Sequence, residues 1–156
     1  MSELKVGDKA PKIDLPSNTG KNISLKDFNG KKHVVLYFYP KDDTPGCTTQ
    51  ACGFRDEISN VKKLKAVVLG VSPDNPSKHE KFITKYDLPF NLLSDEEKTT
   101  CTDYGVWVEK SMYGRKYMGV ARTTFIINKE GIISHIFDKV KPKDHAAEVL
   151  EVLKTL

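Results

Sequence analysis

A chain of 156 residues, 38% hydrophobic and 29% charged, has the make-up of an ordinary globular protein and is long enough to bury one proper core. Its 25 Lys and Arg outnumber its 21 Asp and Glu by only four, and the basic residues are scattered, which argues against nucleic acid as a partner. No apolar run approaches the ~20 residues that cross a bilayer, and Met1 to Gly7 lacks the apolar stretch of a signal peptide, so a cytoplasmic location with no membrane partner is expected.

Residues 1–30 read as an extension of a single domain spanning 1–156. Ile13 and Leu15, then Ile23 and Leu25, alternate with polar residues around Ser17-Asn18-Thr19-Gly20, the pattern of a β-hairpin, and Ser24 is placed to cap a short turn through Phe28. Residues 33–39, with Val34-Val35-Leu36-Tyr37-Phe38, predict a buried strand. A helix follows from Thr44, with apolar Phe54, Ile58, Val61 and Leu64, and ends near Lys63. Ala66 to Ser72 predicts a second strand, Asp74 to Ser77 a turn and cap, and Lys78 to Tyr86 a helix, so the core starts as a parallel unit with right-handed crossovers. Phe90 to Leu93 suggests a further strand, and Ser94 or Asp95 a cap for a helix over Glu96 to Tyr104. Lys110 to Gly119, with Lys110, Arg115 and Lys116, reads as an exposed basic loop. Strands at Thr123–Ile127 and Ile132–Phe137 flank the turn Asn128-Lys129-Glu130-Gly131, and Pro142 is expected to start a last helix carrying Ala146, Val149, Leu150 and Leu153.

The chemistry concentrates in the segment from Pro40 to Cys52. Thr44 suits an N-cap and Pro45 the first helical position, which sets Cys47 in the first turn of a helix. Amides there lack intrahelical acceptors and the helix dipole favours negative charge, so the thiolate of Cys47 is favoured and the N–H groups of Gly46 and Cys47 are free to stabilise it or an oxygen brought against it. Three cysteines in a reducing compartment read as redox-active or buried, not as a disulfide framework. His33, His79, His135 and His145 pair with no cysteine at zinc spacing, so no metal site is expected.

Pro40-x-x-x-Thr44-x-x-Cys47 resembles the active-site signature of the peroxiredoxins, and Cys52, five residues on, resembles the bacterioferritin comigratory protein or peroxiredoxin Q subgroup. Arg122-Thr123-Thr124-Phe125-Ile126-Ile127 resembles that family's second signature, an arginine just before a core strand. The matching order and spacing run from about Gly7 to the C-terminus. The resemblance implies an α/β thioredoxin-like fold, a central mixed sheet flanked by helices with the N-terminal hairpin as an extension. It implies a peroxidase in which the Cys47 thiolate attacks hydrogen peroxide or an organic hydroperoxide, and Arg122 holds the thiolate and orients the peroxide. Cys52 is the implied resolving cysteine, closing an intramolecular disulfide that thioredoxin reduces. No metal, haem or flavin is implied, and the subgroup points to a monomer.

Several roles stay open at this level. Thr44 either caps the helix alone or also bonds the thiolate or peroxide through its hydroxyl. Pro40 either shields the pocket and shapes the loop or merely ends the strand. Cys101 matches no part of the signature and reads as a buried structural cysteine, with an alternative resolving role left open. Trp107, Tyr113 and Tyr117 either line an entrance for a hydrophobic peroxide or pack over the core. Two other functions compete. A thioredoxin-like disulfide oxidoreductase would use Cys47 and Cys52, but C-x-x-C and the cis-proline are absent, Thr123 standing at that place. A non-catalytic thioredoxin-fold binding module would not need Thr44, Cys47 and Arg122 together.

Overall fold

The computed structural model describes residues 4–156. Its centre is a five-stranded mixed sheet formed by β3 (His33–Phe38), β4 (Ala66–Ser72), β5 (Asn91–Ser94), β8 (Thr123–Ile127) and β9 (Ile133–Phe137), in the order β5-β4-β3-β8-β9. β3 pairs parallel with β4 and antiparallel with β8. Every residue of β3 is buried, which is why it reads as an unbroken apolar run instead of an alternating one. Its side chains nevertheless divide by parity. Val35, Tyr37 and Tyr39 pack with Phe54, Phe82 and Val149 under the helices, and Val34, Leu36 and Phe38 pack with Ile13, Tyr104 and Phe125 on the opposite face.

The first face is covered by α1 (Pro45–Asp56), α2 (Ile58–Lys63), α3 (Pro76–Tyr86) and α5 (His145–Leu153), the second by α4 (Thr99–Asp103) and the N-terminal hairpin. In that hairpin β1 (Asp14–Pro16) pairs antiparallel with β2 (Asn22–Ser24), as the alternation predicts. Ser24 and Asp27 then close a capping box on a 3-10 turn over Leu25–Phe28.

Four expectations are corrected. The helix from Thr44 to Lys63 is two helices, separated at Glu57, whose amide turns back to Phe54 O and Arg55 O. The helix expected over Glu96–Tyr104 shrinks to Thr99–Asp103, because the Asp95 carboxylate reaches past the first turn to accept from the amides of Thr100 (3.2 Å) and Cys101 (2.7 Å). The basic loop at 110–119 is a second hairpin, β6 (Trp107–Met112) with β7 (Arg115–Val120). Its tip places Tyr113 at φ 52° and Gly114 at φ 78°, the paired positive φ of a two-residue hairpin turn. The last helix starts at His145, not at Pro142; Asp144 precedes it in the left-handed region (φ 63°), and Pro142 stays in the loop beside Gly46.

Candidate active site

β3 ends against the first residue of β8: Phe38 stands opposite Thr123 and Tyr37 opposite Thr124. Arg122, immediately before β8, is thereby delivered to the carboxyl end of β3, where the loop Pro40–Thr44 leads into α1. Pro45 occupies the first position of α1 and Cys47 its first turn, buried to 1% exposure. Arg122 Nη2 donates to Cys47 Sγ at 3.3 Å while Nη1 donates to Gln50 Oε1 at 2.7 Å. The guanidinium fork thus spans two residues one turn apart on the same helix face, a grip for which a single ammonium has no equivalent. Gly46 makes the approach possible. A Cβ at that position would stand 3.2 Å from Arg122 Nη2 and 3.4 Å from Pro142 Cγ.

Thr44 has the extended backbone of an N-cap (φ −91°, ψ 155°), but its hydroxyl donates to Lys41 O at 2.9 Å and does not cap. The capping expected of its side chain is therefore corrected: the hydroxyl proton is engaged in holding the loop. The amides of Gly46 and Cys47, in the first turn of α1, stay free of helical acceptors. Pro40 is half-buried at the exit of β3.

Cys52 lies on the same helix as Cys47, half-buried, against a groove of about 360 Å³ shared with Thr49, Gly53, Pro142 and Lys143. Cys101 is on the opposite face of the sheet among Tyr104, Val106 and Phe125. Burial, reinforced by the hydrogen bond and charge of Asp95, pushes its thiol well above the ordinary range, so it is held protonated and is a poor nucleophile. The hairpin carries exposed Met112, Tyr113, Tyr117 and Met118, with Tyr113 99% exposed, while Trp107 is half-buried under Lys98. Tyr113 therefore neither lines an entrance nor packs over the core.

Gln50 is a site residue that the sequence pattern did not single out; its only signal is its place three residues after Cys47 on a helix. A second cluster lies behind the loop, where Asp42, Asp74 and His79 bring their ligating atoms within 4.8 Å of one another. All three are engaged in hydrogen bonds: Asp42 with Tyr39 and His79, Asp74 with Ser72 and the Asp42 amide. The cluster therefore reads as a closed polar network.

This geometry pairs a buried thiol at a helix start with an arginine fork, the arrangement that stabilises a thiolate and a developing oxyanion together. Residues 6–136 match the AhpC/TSA family model. The chain belongs to the AhpC/TSA family. It is 48% identical over 153 residues to peroxiredoxin Bcp of Bacillus subtilis, covering 98% of this chain and 97% of that one. Among solved structures, peroxiredoxin Q of Xylella fastidiosa superposes with a TM-score of 0.92 at 34% identity, covering 99% and 98% of the two chains. The bacterioferritin comigratory protein of Xanthomonas campestris, described for its alkyl peroxide reduction activity, superposes with a TM-score of 0.87 at 36% identity, covering 92% and 90%. The central mixed sheet with its flanking helices is the thioredoxin-like arrangement of these peroxiredoxins, and the family's chemistry is thiol-dependent peroxide reduction. Among the described residues no helix is long and apolar enough to cross a membrane.

Proposed function

We propose that the chain, as one thioredoxin-like domain, reduces hydroperoxides through Cys47 and regenerates through Cys52. The Cys47 thiolate attacks the terminal peroxide oxygen in line with the O–O bond. An S–O bond forms, the O–O bond breaks, and the leaving oxygen departs as alcohol or water after taking a proton, leaving Cys47 as sulfenic acid. The amides of Gly46 and Cys47 and the Arg122 fork stabilise the charge that develops on the oxygens, while Pro40 walls the pocket and Thr44 braces the loop. The Cys52 thiolate then attacks the sulfenic sulfur, the disulfide forms, and hydroxide leaves as water. An external dithiol, in this reading thioredoxin in the cytoplasm, returns both thiols, and the protein works as a monomer. The X. campestris relative's activity toward alkyl peroxides favours organic hydroperoxides among its substrates.

The observation that carries this reading is the 3.3 Å hydrogen bond from Arg122 to Cys47 Sγ at a helix start whose first amides are free. What favours Cys52 as partner is its half-exposed place on α1, against the buried, protonated thiol of Cys101. The test is hydroperoxide consumption with thioredoxin, thioredoxin reductase and NADPH. Cys47→Ser is expected to abolish turnover, and retention of a tenth of the rate removes Cys47 from its role. Cys52→Ser is expected to react once and stall as sulfenic acid, detected by mass. If Cys101→Ser stalls and Cys52→Ser turns over, the resolving role passes to Cys101.

A further inference from the structure

The peroxidatic loop is fastened to α3 by two consecutive acids that the chemistry above does not use. On the inside, Asp42 is 9% exposed and meets His79, which is fully buried. His79 Nδ1 lies 2.6 Å from Asp42 Oδ2, and the other ring nitrogen lies 2.9 Å from Leu93 O. A carbonyl only accepts, so Nε2 carries a proton and the ring is fixed with Nδ1 facing the carboxylate. The Tyr39 hydroxyl donates to Asp42 Oδ1 at 2.5 Å, and the Asp42 amide donates to Asp74 Oδ2 at 2.7 Å, an oxygen that also accepts from Ser72 Oγ at 2.8 Å. On the outside, Asp43, held at φ 59°, accepts from Lys85 Nζ at 2.8 Å and Tyr86 Oη at 2.9 Å. Three elements therefore converge on one loop residue: Tyr39 at the exit of β3, Asp74 just past β4 and itself held by Ser72, and His79 in α3.

We propose that Asp42 and His79 are positioning residues of the peroxidase, holding the Pro40–Thr44 loop so that the free amides of α1 and the Arg122 fork meet the peroxide in register with Cys47. The proposal rests on the peroxidase reading and adds to it the origin of the loop's rigidity. Asp42 stands five residues before Cys47 and three before the first residue of α1, so a shift at Asp42 moves the helix start. A peroxide poised for in-line attack is far more sensitive to such a shift than a freely diffusing electrophile, because its two oxygens must satisfy the sulfur, the amides and the guanidinium together.

The experiment compares two reactions of Cys47 in the reduced full-length protein. One is the second-order rate with hydrogen peroxide; the other is alkylation by iodoacetamide, followed on the Cys47 peptide by mass spectrometry. Asp42→Ala is expected to slow the peroxide reaction by roughly 10- to 100-fold, the range for misplaced reacting groups, while alkylation stays within about threefold of wild type or quickens. Asp42→Asn, whose amide donates to His79 Nδ1 and whose carbonyl accepts from Tyr39, is expected to recover most of the lost peroxide rate. Tyr39→Phe removes one hydroxyl and keeps the ring stacked 5.3 Å from Tyr37, so it tests the network even if Asp42→Ala does not fold; a drop of about threefold in the peroxide rate is expected. Peroxide rates within twofold of wild type in the folded variants overturn the proposal, as does a parallel fall of both reactions, which would make the network a support of the fold alone. A wild type inert to peroxide would bring down the peroxidase reading and the proposal with it.

Discussion

At Gly46 a single hydrogen atom separates stability from chemistry. Glycine in a helix is less favourable than alanine by about 0.5–1 kcal/mol, and at this position a methyl group has room except against Arg122 Nη2 and Pro142 Cγ. Gly46→Ala is therefore expected to raise the urea midpoint slightly and to slow the reaction with peroxide several-fold, because the atom displaced is the donor to Cys47. If the peroxide rate is unchanged while stability rises, the guanidinium is free to relax and its grip is looser than 3.3 Å suggests. The residues of this site were unequally legible. Cys47 and Arg122 belong to recognisable motifs, and the helix-start argument places Cys47 without any motif. Gln50 belongs to none, and it became visible only when Arg122, 72 residues away in sequence, was found donating to it. Thr44 was legible as a position but not as a contact, since its hydroxyl turns back to donate to Lys41 O and its oxygen accepts from no amide of α1.

For the proposed Cys47–Cys52 disulfide to close, α1 is the element that must move. Residues five apart in an α-helix are separated by about 7.5 Å along the axis and roughly 140° around it, so the Cα atoms of Cys47 and Cys52 lie about 8.7 Å apart. A disulfide spans at most about 7 Å, so a bond between them requires α1 to unwind. Pro45 and Gly46 open the helix, and no side chain caps it, which makes its first turns the cheapest part to melt. Hydrogen exchange is expected to show protection falling across Gly46 to Glu57 on oxidation while Ala66–Ser72 in β4 is unchanged. Equal protection in both states would exclude Cys52 as partner. Elements with a buried face were legible from pattern alone: the continuous apolar run of β3, the alternation of β1 and β2, the stripe of α5. The β6–β7 hairpin was not, because it is largely solvated on both faces and burial never imposes period-two alternation on it. Its turn signal, Tyr113-Gly114, is weaker than the Asn-Gly or Asp-Gly pairs that mark such turns.

Across the whole molecule, the contacts that a linear reading misses are those of buried histidines, which looked scattered in sequence and prove to be junctions between elements. His145 at the start of α5 has Nε2 2.8 Å from Thr124 Oγ1 in β8, and its ring stands edge-on to Phe54 of α1 (5.7 Å) and Phe137 of β9 (5.1 Å). Among the described residues its Nδ1 has no hydrogen-bond partner, with Glu148 Oε1 3.5 Å away. Burial lowers its pKa, the nearby Glu148 carboxylate opposes the shift, and the charge of Arg122 adds to it. The unfolded chain takes up a proton near pH 6.5 that the folded ring resists, so below that pH the unfolded state binds more protons and acidification destabilises the fold. One such group contributes a slope of at most about 1.4 kcal/mol per pH unit, and only between its folded pKa and about 6.5. His33, lowered chiefly by burial as well, adds a term common to any His145 variant and cancels in the comparison. His145→Gln keeps a polar partner for Thr124 and removes the titration. It is expected to be less stable than wild type at pH 7, from lost packing against the two phenylalanines, yet to lose less stability than wild type between pH 7 and pH 5. Urea midpoints at the two pH values decide it, and parallel losses in both proteins would mean that His145 takes its proton as readily inside the fold as outside.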